Sequence, residues 1–339
     1  MELYCGMDLH SSNTVIGITD EKRNHLIDRK LPNNPELIRN FLEPYKAELK
    51  GIVVESTFNW YWLVDMLQEE QYRVHLSHPV ANQQYNGLKH LNDKHDAFWL
   101  AELLSLGILK EGYIYPRQVR SLRDVLRKRA HLVRVRSALI VSLQHIIHRN
   151  CAVKVRTGDI KRLTADLISP CLSKEEALLL AGTTSKEVID CLTRQIDKIE
   201  RWGLKHLRRE GVFMLLVTLP GVGDILGMMI LLETGPILRF REVGNYASYC
   251  RKVSSQWTSN GKIKGRGNIK NGNKYLAWAF SEAAEHARRT NETCRRFYER
   301  KLRQTNTKVA HNALAHKLAR AAYYIMKDHV PYQEDKMFS

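Results

Sequence analysis

Four carboxylates stand at the ends of predicted strands and at the start of a predicted helix. Asp8 ends the apolar run LYCGMDL and Glu55 ends GIVVE, while Asp93 and Asp96 are three residues apart and project from one helix face. If the first and third strands are neighbours in one sheet, Asp8 and Glu55 emerge at a common edge. A helix packed across that edge would bring in the other two carboxylates.

Acidic groups crowded in this way repel one another unless cations lie between them. Oxygen ligands suit Mg²⁺ or Mn²⁺, and two such ions about 3.5–4 Å apart stabilise the attacking and leaving oxygens of a phosphodiester displacement. The pattern therefore predicts a two-ion site at Asp8, Glu55, Asp93 and Asp96. The alternative is a chance alignment in a chain with 36 acidic residues, in which Asp93 only caps its helix.

Two glycine-containing loops are candidates for holding phosphates. In Pro220-Gly-Val-Gly, the free N–H groups of a helix start could bind a phosphate, although a plain helical turn explains the pattern equally well. The loop after Arg251 is rich in glycine, lysine and arginine and carries hydroxyls at Ser254, Ser255 and Ser259. The predicted nucleic-acid contacts are Arg120, Arg123, Arg127, Lys128, Gly221, Gly223, Arg251, Lys252, Lys262, Lys264, Arg266, Lys270 and Lys274.

Composition points to a polyanionic partner. The 339 residues include 53 Lys+Arg and 36 Asp+Glu, a formal net charge of +17, which favours nucleic acid. None of the six cysteines forms a C-x-x-C pair, so neither a zinc ribbon nor a disulfide framework is expected. Without a secretory signal or a membrane span, the expected location is the cytoplasm. His10, His90 and His95 lie near the carboxylates, yet they lack metal-ligand spacing and are interpreted as surface or core residues.

Hydrophobic patterning divides the chain into three regions. Residues 1–115 alternate strands and helices, which predicts a mixed sheet with covering helices. Residues 116–210 are helical and basic, and residues 211–339 are mostly helical with a helix-hairpin-helix-like turn. A seven-residue repeat in the middle region predicts either a coiled coil or a helix packed on its own neighbour. Its members are Leu126, Val133, Ile140 and Ile147.

An ordered set of motifs resembles a known family. The N-terminal part carries G-x-D-x-H from Gly6, E-S-T-x-N-W-Y from Glu55, and D-x-x-D-A from Asp93. The C-terminal part carries L-P-G-V-G from Leu219, then S-Y-C-R, T-S-N-G-K and G-N-x-K-N-G-N-K-Y-L-A-W-A-F. Over nearly its whole length the sequence resembles the DEDD-type insertion-sequence transposases related to the Piv invertase.

That resemblance implies a fold and a mechanism. It implies an α/β RuvC/RNase H-like N-terminal domain whose four acidic residues bind divalent metal, and a C-terminal transposase domain whose reactive serine falls on Ser259. It further implies a structured guide RNA that pairs with donor and target DNA. Recombination would pass through a phosphoserine in a dimer or tetramer. Arg251-Lys-Val-Ser254 replaces the Gly-Leu-Ala-Pro of many relatives, so Ser255 is the second candidate nucleophile.

The resulting hypothesis is a DNA transposase or site-specific recombinase, with double-stranded DNA and a guide RNA as partners. The first alternative is a metal-dependent, structure-selective nuclease in which water attacks. The second is a non-catalytic nucleic-acid-binding protein.

Overall fold

A computed structural model describes residues 1–82, 93–164, 172, 175–253, 256–266 and 271–338. The chain folds into two compact units, Met1–Arg117 and Gln118–Ser339. Within the described residues, no helix is both long enough and apolar enough to span a membrane. The further division of the second unit into a helical middle and a C-terminal domain remains a prediction.

The first unit is built on a five-stranded mixed sheet. Its strands follow the order β3-β2-β1-β4-β5, with β1 antiparallel to β2 and parallel to β4. The strands are β1 (Leu3–Leu9), β2 (Asn13–Asp20), β3 (His25–Pro32), β4 (Leu49–Glu55) and β5 (Val74–Ser77). The helices are α1 (Pro35–Leu42), α2 (Tyr61–Glu69), α3 (Pro79–Asn82) and α4 (Asp93–Ser105). This confirms the predicted mixed sheet with covering helices.

The strand β3 has no counterpart in the sequence-based prediction. It forms one edge of the sheet, and its residues are mostly exposed, so the alternation of apolar and polar residues that marks a half-buried strand is missing. The antiparallel pairing with β2 holds these residues as a strand, although their local pattern does not predict one.

The central pairing places two carboxylates side by side. In the parallel ladder of β1 and β4, the last paired residues are Met7 and Val54, and Asp8 and Glu55 each follow by one position. Parallel strands end at the same edge, so the two acidic residues reach it together. The predicted adjacency of the first and third apolar runs is therefore confirmed.

Helix α4 lies unusually close to the sheet because two glycines leave room for it. A Cβ atom at Gly6 would lie 1.9 Å from the Ala97 carbonyl oxygen, and one at Gly17 would lie 2.9 Å from the ring of Phe98. Any side chain at Gly6 would push the helix backbone away from β1. The first turn of α4 carries Asp93 and Asp96, so this close packing also sets their height above the strand ends.

Among its described residues, the second unit is helical apart from one hairpin. Its helices are α5 (Arg117–Cys151), α6 (Thr157–Arg162), α7 (Glu176–Leu207), α8 (Gly211–Leu216), α9 (Asp224–Thr234), α10 (Val243–Tyr249), α11 (Lys274–Thr290), α12 (Glu292–Gln304), α13 (Thr307–Asp328) and α14 (Glu334–Phe338). Between α10 and α11, the strands β6 (Gln256–Ser259) and β7 (Lys262–Arg266) pair antiparallel. Helices α8 and α9 are the two apolar stretches on either side of Pro220.

The seven-residue repeat of α5 is used inside this unit. Ile140 and Ile147 lie in a small core with Ile160 and Ile189, and Leu126 lies in the large C-terminal core. Alongside, the Arg129 guanidinium pairs with Glu200 of α7. These contacts support the interpretation of α5 as a basic helix packed on its own neighbour. A coiled coil built on this repeat remains a prediction.

Candidate functional site

The carboxyl ends of the central strands and the start of α4 form a cluster of ionisable groups. The His10 Nε2 atom lies 3.2 Å from Asp8 Oδ2 and 3.3 Å from Asp93 Oδ2. One ligand atom from each of these three residues lies within 4.8 Å of the other two. Asp8 is only 4% exposed, whereas the Asp93 side chain is half exposed, so the cluster runs from the sheet edge toward solvent.

Glu55 and Asp96 complete an acidic cluster, a term used below for Asp8, Glu55, Asp93 and Asp96. Burial, a hydrogen bond with Asp8 and the negative charges of Asp8 and Asp96 together raise the pKa of Glu55 to about 7. Burial, followed by the charge of Asp8, also raises the pKa of Asp96. Each shift means that burial and the neighbouring carboxylates disfavour the ionised form of the group.

Two asparagines join the loops that carry the cluster. The side-chain N–H groups of Asn33 and Asn59 both donate to the backbone carbonyl of His10, each at 3.0 Å. In turn, the Thr57 hydroxyl donates to the amide oxygen of Asn59 at 3.0 Å. The residues that follow β1 are thereby tied to the residues that follow β4. Asp8 and Glu55 consequently sit on strand ends that are fixed by hydrogen bonds rather than on free loops.

The donor set fits a hard divalent cation. Carboxylate oxygens are the ligands that Mg²⁺ and Mn²⁺ prefer. Without a cation, two neighbouring carboxyl groups can share a proton, as the hydrogen bond between Glu55 and Asp8 indicates. His10 lies between Asp8 and Asp93, where it can pair with them or serve as a further ligand.

The candidate nucleophile lies on a tight hairpin. Ser259 is the last residue of β6, is exposed, and pairs with Lys262 across the two-residue turn Asn260-Gly261. Both turn residues have positive φ, at 50° and 71°, as expected of an Asn-Gly hairpin turn. Lys262 and Lys264 on β7 are also exposed, so the hydroxyl and two cations share the serine hairpin, residues 256–266. Ser254, Ser255, Lys270 and the side chain of Arg266 lie outside the described residues.

Three of the predicted nucleic-acid contacts on α5 are engaged inside the second unit. Arg120 and Arg123 are buried, at 3% and 6% exposure. The guanidinium groups of Arg123 and Arg127 both pair with Glu233, which is 1% exposed and also accepts a hydrogen bond from Asn273. The same network holds Asn273, whose side chain caps the start of α11. These arginines therefore position helices, a role that the one-sided charge of the sequence does not reveal.

Further predicted contacts are divided between packing and surface. Arg251 donates twice to the carbonyl of Gly272, at 3.1 and 2.8 Å, which closes the base of the segment bearing the serine hairpin. Lys252 is buried and donates to the Ser281 hydroxyl at 2.7 Å. Gly221, with φ of 77°, packs against α11, where a Cβ would lie 2.1 Å from the Ala283 carbonyl oxygen. Lys128, Gly223 and Lys274 are exposed.

Sequence reasoning missed three features of these sites. The lack of metal-ligand spacing indicates an ordinary surface or core role for His10, yet this residue follows Asp8 by two positions and a strand returns such a residue to the same face. The Asn33 and Asn59 bonds leave no pattern in the sequence. The glycine- and lysine-rich composition predicts a loop at the serine hairpin, yet Asn260-Gly261 is the strongest short hairpin signal.

A mixed sheet with an acidic cluster at its central strand ends, joined to a basic helical unit, is consistent with the RuvC-like class of nucleic-acid enzymes. Two family models match the chain: the DEDD transposase model of IS110 at residues 5–151, and the transposase model of the IS116/IS110/IS902 family at residues 214–299. The chain is also 26% identical to the "Probable family 20 transposase" of Pseudomonas aeruginosa over 324 residues, covering 92% of this chain and 94% of the relative.

The first matched region contains the whole acidic cluster, and the second contains Ser259. The chain is an insertion-sequence transposase of the IS110 family, an enzyme that recombines DNA. Family membership favours the enzymatic hypotheses over the non-catalytic binding protein.

Proposed function

We propose that this transposase is an RNA-guided DNA recombinase that uses a divalent-metal site and a serine nucleophile. The observation that carries the proposal is the convergence of Asp8, Glu55, Asp93 and Asp96 from two strands and one helix. The raised pKa of Glu55 supports it, because burial and the charges of Asp8 and Asp96 disfavour the ionised form of Glu55, and a bound cation would offset that cost.

Asp8, Glu55, Asp93 and Asp96 would hold Mg²⁺ or Mn²⁺, as a pair of ions. When bound, the metal supplies Lewis-acid polarisation of the scissile phosphate and stabilises charge on the attacking and leaving oxygens. The protein's own contribution is rigidity. The asparagine bonds to His10 and the close packing of α4 on Gly6 hold the carboxylates in place before the substrate arrives.

Ser259 would attack the scissile phosphorus. A bond forms between Oγ and phosphorus, the bond from phosphorus to the leaving sugar oxygen breaks, and the hydroxyl proton is lost to solvent or to a nearby base. The leaving sugar oxygen takes up a proton to become a free hydroxyl. The phosphoserine ester conserves the energy of the broken phosphodiester bond, and the hydroxyl of a new DNA end displaces the serine to join the strands. Exposure of Ser259 at the turn of a hairpin supports this role, since the attacking group must reach a DNA backbone.

Basic residues would contact the sugar-phosphate backbones of the DNA and of a structured guide RNA, while base pairing between the RNA and the DNA selects the sequence. The exposed cations Lys128, Lys262, Lys264 and Lys274 are the best supported of the predicted contacts. In a dimer or tetramer, the acidic cluster of one subunit would work with Ser259 of another.

The metal role is tested by strand cleavage with Asp8→Ala and Glu55→Ala. Both variants should abolish cleavage and excision and leave binding of nucleic acid nearly unchanged. Glu21→Ala, at an exposed turn in the same unit, is the matched control and should cleave normally. Undiminished excision by either cluster variant would refute the metal role.

The serine role is tested by trapping the covalent protein–DNA adduct. Ser259→Ala should lose the adduct, whereas Ser255→Ala should retain it. An adduct that persists in Ser259→Ala and disappears in Ser255→Ala would transfer the role to Ser255. The nuclease alternative shares the acidic cluster but uses water, so it predicts metal-dependent cleavage with no adduct in any variant.

A further inference from the structure

A pocket in the second unit involves neither the acidic cluster nor the serine hairpin. It lies between α13 and the segment that follows it, and has a volume of about 490 Å³. That volume falls within the roughly 300–1,000 Å³ of typical small-ligand sites. The lining combines cationic and aromatic side chains, which together indicate what the pocket can bind.

The charge of the lining is mainly positive. Lys317, Arg320 and Lys336 line the pocket, and Asp328 is the one carboxylate among the described lining residues. Lys317 and Arg320 are three residues apart on α13 and therefore share a face. Burial, followed by the nearby charges of Arg320 and Arg300, lowers the pKa of Lys317. The mainly positive lining therefore favours an anionic ligand.

The aromatic groups add a surface for stacking. Tyr324 lines the pocket and is 44% exposed, and its ring is held edge-on against Tyr323 at 5.3 Å. Tyr332 lines the same pocket, and its hydroxyl oxygen is buried with no hydrogen-bond partner among the described residues. Its backbone N–H donates to the Thr218 hydroxyl at 2.8 Å, which anchors this wall of the pocket. Of the two tyrosines, Tyr324 offers an exposed ring to a ligand, while Tyr332 forms part of the wall.

We propose that this pocket binds one unpaired nucleotide of a nucleic-acid strand, with its phosphate at Lys317 and Arg320 and its base against Tyr324. Single-strand binding sites combine cations that follow the backbone with aromatic rings on which bases stack. An acidic peptide would use the cations but not the exposed ring, so the nucleotide accounts for more of the lining. The inference rests on the proposed function only in that the protein handles nucleic acid.

The test is fluorescence anisotropy on the full chain with labelled single strands of about ten nucleotides, as DNA and as RNA, and with the corresponding DNA duplex. Arg320→Ala and Tyr324→Ala should each weaken single-strand binding about tenfold. Duplex binding should change no more than in Arg303→Ala, a control that removes an exposed arginine from α12. Paired bases remain stacked in the duplex and cannot enter the pocket.

Salt dependence separates the two contacts. Arg320→Ala should reduce the log–log salt slope for single strands by about 0.7, because it removes one phosphate contact, while Tyr324→Ala should leave the slope unchanged. If the variants disturb folding, Arg320→Gln and Tyr324→Leu retain most of the packing and should show the same losses.

A loss of affinity for the DNA strand or for the RNA strand identifies which of the two the pocket binds. Losses no larger than in Arg303→Ala, or equal losses on the duplex, overturn the proposal. The proposal is also overturned if a polyglutamate peptide binds more tightly than either strand and the same variants weaken binding of the peptide. Repeating the binding measurement with Asp8→Ala, for which the proposed function predicts no cleavage, keeps this outcome separate from failure of the proposed reaction.

Discussion

Individual side chains in this transposase are shifted in pKa where the fold buries them. Glu55 and Asp96 are pushed toward their protonated forms beside Asp8. Lys252 is pushed toward its neutral form by burial, which lowers its pKa to about 8. The first shift belongs to the proposed metal site. The second belongs to the packing of the second unit, where the Lys252 ammonium contacts Ser281.

Lys252 makes the stability of the folded chain depend on pH in the alkaline range. Its pKa is lower in the folded chain than the ordinary value of 10.5, so the folded state holds this proton less tightly than the unfolded state. Its contribution to stability therefore rises with pH between about 8 and 10.5 and is unfavourable below 8. Compared with Lys252→Met, the wild-type chain should gain melting temperature from pH 7 to pH 9.5.

The control for this prediction is Lys274→Met, which removes an exposed lysine and should show the pH profile of the wild type. Parallel profiles for the wild type and Lys252→Met, followed by circular dichroism, would contradict the assignment.

At the scale of elements, small residues and buried ion pairs decide where the helices lie. Gly6 lets α4 approach β1, and Glu233 on α9 draws together two arginines of α5 and the cap of α11. Neither feature touches a substrate in our proposal. Both hold the elements that carry the functional residues.

Gly6→Ala should both destabilise the first unit and reduce cleavage. The added Cβ would lie 1.9 Å from the Ala97 carbonyl oxygen, so α4 must move and take Asp93 and Asp96 with it. We expect overpacking of this kind to lower the free energy of unfolding by about 3 kcal/mol, and urea unfolding would measure the loss. Gly112→Ala is the control, because its Cβ would meet neighbours only at ordinary distances of 3.5 Å and beyond. Equal stability of the two variants would argue against close packing at Gly6.

Glu233→Gln should destabilise the second unit by about 3 kcal/mol, because Arg123 and Arg127 would lose their shared counter-charge in a buried site. Chemical denaturation measures the loss, and Glu299→Gln at an exposed position of α12 should have little effect. If nucleic-acid binding falls in proportion to stability while the salt slope stays constant, the arginines position helices rather than contact phosphates.

At the scale of the whole molecule, the net charge of +17 makes binding sensitive to salt. The logarithm of affinity for duplex DNA should fall with the logarithm of salt concentration, with a slope of about −0.9 per phosphate neutralised. A slope near zero would contradict the assignment of the basic residues to phosphate contacts.

The serine hairpin should contribute to this slope. The double variant Lys262→Gln/Lys264→Gln should make it shallower by about 1.8, which is two phosphate contacts. Lys46→Gln/Lys50→Gln is the matched control, since both lysines already pair with carboxylates of the first unit. Identical slopes for the two double variants would remove the hairpin from the DNA-binding surface.

The sequence by itself determined the strands β1, β2, β4 and β5, the long basic helix and the four acidic positions. Those features leave local signals: β-branched apolar runs, helical periodicity, and carboxylates where such runs end. It also carried enough ordered motifs to indicate the family. Asp8 and Glu55 could be expected at one edge only on the condition that their strands are neighbours, which the pairing of β1 with β4 then met.

Only the tertiary structure decided which charged residues face outward. Arg123 and Lys128 belong to the same basic run of the sequence, yet one is buried on Glu233 and the other is exposed. Likewise, the bonds from Asn33 and Asn59 to His10, and the close approach of α4 to Gly6, join residues that are far apart along the chain. A one-dimensional pattern records the type and spacing of side chains. The partner of a buried charge depends on long-range packing.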